Sequence, residues 1–321
     1  MIFKIKIQKR KGDMIMTYVL ETKNLTKKYK NTQALDSINI KLEKGNIYGF
    51  IGQNGAGKTT LIRLITGLSF PTSGELYLFG ETGEKKLQEQ RKRLGCMVET
   101  PALYPNMTAY QNLKIQRIQR GIPDEKVIQD TLELVGLKDT GKKKAKDFSL
   151  GMKQRLGIAL ALINDPEFLI LDEPVNGLDP VGIVEIRELI KRLNKEEGMT
   201  ILISSHILEE LYHIADHYII ISHGNILETL TQEELNEKCK RHIAINVDDT
   251  SLAVTILEDE LHTKNYQVMP DKTIRLYDYL EDIKSVSVAL SRNNLIITGI
   301  NLAGDSLEDY FIRRIGGGKC D

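Results

Sequence analysis

The run Gly52-Gln53-Asn54-Gly55-Ala56-Gly57-Lys58-Thr59-Thr60 constrains this chain more than any other feature. It fits G-x-x-x-x-G-K-[ST] and follows Ile47-Tyr48-Gly49-Phe50-Ile51, a short apolar run that reads as a buried parallel strand. After it, Leu61, Leu64, Ile65 and Leu68 recur at helical spacing. A strand, a glycine-rich turn and a helix in that order let consecutive backbone N–H groups point at phosphate oxygens, with the positive helix end behind them. Lys58 is placed to neutralise the β- and γ-phosphates, and the Thr59 hydroxyl to ligate Mg²⁺. The pattern by itself implies a nucleoside triphosphate and no more.

The rest of the chain alternates strand and helix signals. Val19–Thr22 and Ser37–Leu42 read as half-buried strands, apolar at every second position. Phe168–Leu171 and Thr200–Ser204 read as buried strands, Tyr218–Ile221 as a strand entering a turn at His223-Gly224-Asn225, and the stretch from about Gly95 to Asn164 as mainly helical. After about Thr229 no phosphate-binding pattern recurs. Short strands at Ile243–Val247, Thr273–Leu276 and Leu295–Thr298 alternate there with helical stretches, so residues 230–321 are expected to form a separate, smaller α+β domain. At 321 residues the chain is long enough for a large core domain plus such an appendage.

Composition narrows the setting. Lys+Arg and Asp+Glu both number 44, a balance that gives no sign of a nucleic-acid partner. No apolar run approaches the ~18–20 residues needed to span a bilayer, so direct membrane insertion is not expected and membrane association must go through a partner. Cys96, Cys239 and Cys320 follow no metal or disulfide spacing and fit a reducing cytosol. The basic start lacks the apolar stretch and cleavage site of a signal peptide. Translation is expected to begin at Met14 or Met16, which sets residues 1–16 apart as an extension.

Leu169-Ile170-Leu171-Asp172-Glu173 places two acids at the end of a strand. Asp172 is expected to hold Mg²⁺ opposite Thr59, and Glu173 to orient or deprotonate an attacking water. Between Lys58 and these acids stands Phe148-Ser149-Leu150-Gly151-Met152-Lys153-Gln154-Arg155, with Ser149 a candidate helix N-cap. Here the chain resembles the ABC (ATP-binding-cassette) ATPases, whose signature is usually L-S-G-G-Q. Ser149 and Gly151 match it, whereas Phe148, Leu150 and Met152 depart. Asn176-Gly177-Leu178-Asp179 resembles the family's D-loop, His206 in Ile203-Ser204-Ser205-His206 its H-loop histidine, and Tyr29 the aromatic that stacks on adenine.

The resemblance covers about residues 17–229 and implies a P-loop ABC ATPase core of α/β class with an inserted helical subdomain at about 95–165. It implies ATP and Mg²⁺ as cofactors, and a homodimer (or a pair with a related ATPase subunit) in which Ser149 and Gly151 of one copy meet the ATP held by the other. Membrane permease subunits are implied as partners, with the chain on the inner face of the cell membrane. Glu99, in Val98-Glu99-Thr100-Pro101, stands where most members carry glutamine, and a carboxylate there is typical of the bacitracin and lantibiotic self-protection branch. By that likeness Glu99 is expected to contact the metal, and the chain to power export of a peptide antibiotic. Two other readings stay open: a soluble ABC protein acting on ribosomes or DNA, and a regulatory or sensing module carried by the appendage.

Two further signals are set aside. His213 and His217, four apart on an expected helix, lack a third ligand in a recognisable pattern, and Lys142–Lys146 reads as a solvated loop before the signature.

Overall fold

The computed structural model describes residues 18–293, 295–304 and 307–315, so the expected start at Met14 or Met16 lies outside the described residues. The chain divides into two compact units, Met1–Gln232 and Glu233–Asp321.

In the first unit an antiparallel sheet is made by β1 (Tyr18–Tyr29), β2 (Thr32–Ile38), β3 (Lys41–Glu43) and, across the other edge of β1, β5 (Ser73–Leu78). The expected strand Ser37–Leu42 is therefore broken. Ser37 has φ 49°, and Thr22 bridges the break: its hydroxyl donates to Ile38 O (2.9 Å) and accepts from Ile40 N–H (3.0 Å). β4 (Ile47–Ile51) opens the second sheet and is buried along its whole length. After it come α1 (Lys58–Thr66), α2 (Glu84–Gln90) and β6 (Leu94–Met97). Leu68 lies past the end of α1 and is 70% exposed, because Gly67 ends the helix in the left-handed conformation (φ 79°).

The helical expectation from Gly95 also starts too early, since Gly95 to Met97 pair with β7 as a parallel edge strand. Helices follow only afterwards: α3 (Ala109–Gln119), α4 (Lys126–Leu134) and α5 (Leu150–Leu162). Then come β7 (Phe168–Asp172), α6 (Pro180–Glu197), β8 (Thr200–Ser205), α7 (Leu208–Tyr212) and the hairpin β9 (His217–Ser222) and β10 (Asn225–Thr231). His213 caps the end of α7 and His217 opens β9, so the two histidines do not share a helix face.

The second sheet runs β10-β9-β4-β8-β7-β6, parallel except for the β9–β10 hairpin. Every residue of β4, β7 and β8 is buried, as a parallel sheet covered on both faces requires. The core beneath α1 joins Leu61, Ile62 and Ile65 to Phe50, Phe168, Ile170 and Leu202. In such sheets ligands bind outside the carboxyl ends of the strands. β4, β8 and β7 are neighbours and end at Ile51, Ser205 and Asp172, which places the three sequence motifs side by side.

The boundary falls at the first residue of α8 (Gln232–Cys239); the second unit continues with β11 (His242–Val247), α9 (Thr250–Asp259), β12 (Tyr266–Val268), β13 (Ile274–Leu276), α10 (Ile283–Arg292) and β14 (Ile297–Ala303), and its last described element is α11 (Leu307–Ile315). The strand expected from Leu295 begins at Ile297 and extends to Ala303. The order β12-β13-β11-β14, antiparallel throughout, is the split β-α-β-β-α-β arrangement of ferredoxin-like domains. Ile243, Ile245, Ile274 and Leu276 pack on Ile256, Leu257, Val286 and Leu290 to form its core.

One ion cluster anchors the entry to β7. Glu167 Oε1 accepts from Arg93 Nε (2.7 Å) and Oε2 from Lys44 Nζ (2.8 Å). Partial burial pushes this carboxyl up from its ordinary 4.5, but the bonds and charges of Arg93 and Lys44 outweigh that and hold it at about 2. Because the folded value is the lower one, the stabilisation is complete above the unfolded value and is lost as pH falls through the folded one. Glu167→Gln is therefore expected to lower the urea midpoint at pH 7, with the gap to wild type narrowing steadily below pH 4.5. A gap that stays constant down to acid pH would contradict this role.

Candidate functional site

A cavity of about 350 Å³ opens at the strand ends, lined among others by Ala34, Gln53 to Gly55, Gly57 to Thr60, Glu99, Thr100, Asp172, Glu173 and Asn176. The turn that forms its floor needs its glycines. Gly57 has φ 115°, and a Cβ there would stand 2.8 Å from Ala34 O; at Gly52 it would stand 2.6 Å from Ile221 O. Gly57 is the N-cap of α1 and offers no side-chain acceptor, so the first amides of that helix are left for a ligand.

Lys58 is 6% exposed, and its ammonium donates to Gly52 O (2.6 Å) and lies 3.4 Å from both Gln53 O and Glu173 Oε1. Thr59 Oγ1 donates to Asp172 Oδ2 (3.0 Å), joining the start of α1 to the end of β7. Asp172 is 1% exposed, and its other oxygen accepts from the Ser204 hydroxyl. Ser204 also takes the backbone of the next residue: Glu173 N–H donates to Ser204 Oγ (3.0 Å) and Ser204 O (3.1 Å).

Glu173 has φ 51°, a left-handed conformation that costs a non-glycine residue energy and that functional sites retain when their surroundings impose it. Its Oε2 faces His206 Nδ1 at 2.9 Å. A carboxylate only accepts, so the Nδ1–H donates and a neutral His206 keeps Nε2 as an acceptor. Beneath His206, Ser205 Oγ accepts from Ile207 N–H (3.0 Å) and donates to Glu210 Oε2 (3.0 Å), which fixes the backbone on both sides of the histidine. Burial raises the Glu210 carboxyl, while the Ser205 bond acts against that rise.

Ser149 and Asp179 are helix caps. Ser149 Oγ accepts from Met152 N–H (3.3 Å) at the start of α5, and Asp179 Oδ1 from Gly182 N–H (3.0 Å) at the start of α6, where Pro180 follows at the first helical position. A Cβ on Gly151 would meet nothing closer than Leu178 Cδ2 at 3.9 Å, and Leu150 is 45% exposed, so this end of α5 is open.

Two expected residues sit differently. Glu99 lines the cavity, but its Oε1 accepts from Arg63 Nη2 on α1 (2.9 Å). Tyr29, at the end of β1, is 44% exposed and not among the cavity-lining residues; its hydroxyl lies 3.3 Å from Ser69 Oγ and its ring faces the Lys27 ammonium. Sequence reasoning missed Ala34, Thr100, Leu150, Gln154 and Asn176 in the cavity wall, and Ser204 behind the carboxylates. For Ser204 the signal was present in Ser204-Ser205, two hydroxyls ending an apolar strand one step from His206. Among the described residues no three or more His, Cys, Asp and Glu converge as a metal cage. The hydroxyl and buried carboxylate of Thr59 and Asp172 are instead hard oxygen donors of the kind Mg²⁺ takes when phosphates complete its shell.

A glycine cradle, a buried lysine and paired carboxylates at parallel strand ends define a P-loop nucleotide-binding cassette. The ABC transporter family profile matches residues 35–176. Over 305 residues the chain is 44% identical to the bacitracin transport ATP-binding protein BcrA of Enterococcus faecalis, covering 95% of this chain and 99% of that protein. Over 209 residues it is 46% identical to the lantibiotic transport ATP-binding protein SrtF of Streptococcus pyogenes, covering 65% of this chain and 89% of that protein. Among solved structures it resembles the ATP-binding cassette MJ0796 in a dimeric post-hydrolysis state bound to ADP and Pi. The TM-score is 0.61 at 26% identity, covering 66% of this chain and 98% of that one. The chain belongs to the ATP-binding subunits of ABC transporters.

Ser204 offers a test of how the site is held. Ser204→Ala removes a donor from buried Asp172 and an acceptor from Glu173 N–H, and is expected to cost about 1–3 kcal/mol in urea unfolding. Unchanged stability would show that neither bond matters.

Proposed function

We propose that the chain binds and hydrolyses ATP and thereby drives export of a peptide antibiotic, of the bacitracin or lantibiotic kind, through separate membrane permease subunits. The carrying observation is the convergence of Lys58, Thr59, Asp172, Glu173 and His206 at three neighbouring strand ends. Its context is a chain similar over nearly its full length to a bacitracin transport ATP-binding protein. Among the described residues no helix is long and apolar enough to cross a membrane; permease partners and a place at the cytoplasmic face are proposed from the likeness to transport ATP-binding proteins.

In this reading the amides of Gly52 to Thr60, including those of Gln53, Asn54, Gly55, Ala56 and Gly57, receive the phosphates, and Lys58 turns from Glu173 to the β- and γ-phosphates. Thr59 and Asp172 would hold Mg²⁺, with Glu99 at the same wall as a further oxygen once it leaves Arg63. The metal supplies charge neutralisation on the phosphates. Glu173 takes the proton of a water whose oxygen bonds to the γ-phosphorus, while the bond to the β–γ bridging oxygen breaks and ADP leaves. His206 orients Glu173. Ser149 and Gly151 of a second copy, with Asp179 beside them, complete the γ-phosphate shell from the open end of α5, so two ATP molecules join two chains. Donors aimed at developing charge are the largest single source of such rate enhancement, and here they come from both sides of the boundary.

The test is Glu173→Gln. The variant is expected to keep ATP binding, to accumulate an ATP-dependent dimer in light scattering, and to abolish antibiotic protection in cells that also express the permease subunits. Full protection with this variant would remove hydrolysis from the account.

A further inference from the structure

His206 stands outside any regular element. β8 ends at Ser205 and α7 begins at Leu208, so the ring that faces Glu173 is carried by a two-residue link. Ile207, the other residue of that link, is exposed and offers no side-chain acceptor to the start of α7. The link is held instead by a short series of hydrogen bonds. Ser205 is fully buried, and its Oγ accepts from Ile207 N–H (3.0 Å) while donating to Glu210 Oε2 (3.0 Å). A hydroxyl proton turns to suit its surroundings, whereas a carboxylate only accepts. Glu210 therefore fixes where the Ser205 proton points and leaves an Oγ lone pair facing the Ile207 amide. Glu210 is half-buried on α7, whose Leu208 and Leu211 are buried. That helix lies so close to β4 that a Cβ on Gly49 would stand 3.2 Å from Leu211 Cδ1. The carboxylate is thus anchored through its helix to the sheet and through Ser205 to the histidine link.

We propose that Glu210 is a positioning residue for ATP hydrolysis, acting through Ser205 and the Ile207 amide to hold His206 where its ring orients Glu173. This rests on the reading of the cavity as a site of ATP hydrolysis. Glu210 is not among the residues that line the cavity, so its effect on the reaction passes through the histidine. Without it the Ser205 hydroxyl is free to turn, the link loosens, and the 2.9 Å contact between His206 Nδ1 and Glu173 Oε2 is no longer kept in place. Small displacements of a group that orients a catalytic side chain slow the chemical step while leaving binding intact. The charge of Glu210 also reaches His206 and Glu173, with Arg187 of α6 acting on it as the opposite charge. Bond and charge are separable, because glutamine keeps an acceptor oxygen and loses the charge.

The experiment compares wild type with Glu210→Ala, Glu210→Gln, Ser205→Ala and the double variant Ser205→Ala/Glu210→Ala. Turnover is read by phosphate release, ATP affinity by equilibrium titration with Mg²⁺, and folding by thermal unfolding. Glu210→Ala and Ser205→Ala are each expected to lose about tenfold in kcat, while ATP affinity stays near wild type. Glu210→Gln is expected to recover most of that loss. The double variant is expected to be no slower than the slower single one, because both changes cut the same series of bonds. Wild-type kcat in Glu210→Ala, or losses that simply multiply in the double variant, would overturn the proposal. So would Glu210→Gln as slow as Glu210→Ala, which would assign the effect to charge. A kcat that falls only in parallel with affinity and melting temperature would mark a packing role and overturn it too. Should Ser205→Ala fail to fold, the comparison of alanine with glutamine at Glu210 decides alone. Failure of the wild-type chain itself to hydrolyse ATP would instead remove the reading beneath it.

Discussion

A buried ammonium organises the site. Lys58 is almost fully enclosed, and a charge taken out of water is tolerated only when partners surround it. It is met here by two backbone carbonyls of its own turn and by the Glu173 carboxylate. Those partners bind the end of β4 to the end of β7, and Glu173 carries the link on to His206 beyond β8. The lysine therefore stands where an anion is favourable, and Glu173 fills part of that place. In the proposed reaction an incoming γ-phosphate would compete for the ammonium and free the carboxylate for the attacking water.

The sheet makes this arrangement possible at little local cost. Parallel strands deliver their carboxyl ends to one edge, and three adjacent ones deliver the cradle, the acids and the histidine. Ser204 then couples two of them, holding Asp172 by its hydroxyl and the strained Glu173 backbone by both of its oxygens. Caps at Ser149 and Asp179 set where α5 and α6 begin, and hence which amides remain open at their ends. Each of these is a local preference, for a glycine turn, a capping side chain or a strand hydroxyl, and the global fold uses all of them together.

Much of this was legible in the residues because phosphate chemistry restricts residue type so severely. The cradle, the two acids, Ser149 as a cap and the two-part division all follow from pattern and spacing, although the division falls at Gln232 rather than near Thr229. Other features were hidden for physical reasons. β6 is four residues long and reads as the start of a helical region, because only pairing with β7 makes it a strand. Gln154 looks like one polar position on a helix, and its burial depends on what the rest of the unit packs around it. The ferredoxin-like topology of the second unit is a matter of pairing between strands far apart in sequence, which alternation of apolar residues does not encode. Tyr29, expected from the family resemblance to stack on adenine, is not among the residues that line the cavity; its ring faces the Lys27 ammonium and its hydroxyl lies against Ser69.

The central claim is that the cavity around Lys58 takes the triphosphate of ATP. Isothermal titration of the full chain with ATP and Mg²⁺ tests it most directly, with Lys58→Ala run beside wild type. Saturable binding by wild type and its loss in the variant is the expected result. Equal binding by both would mean that the ammonium is not the phosphate's partner.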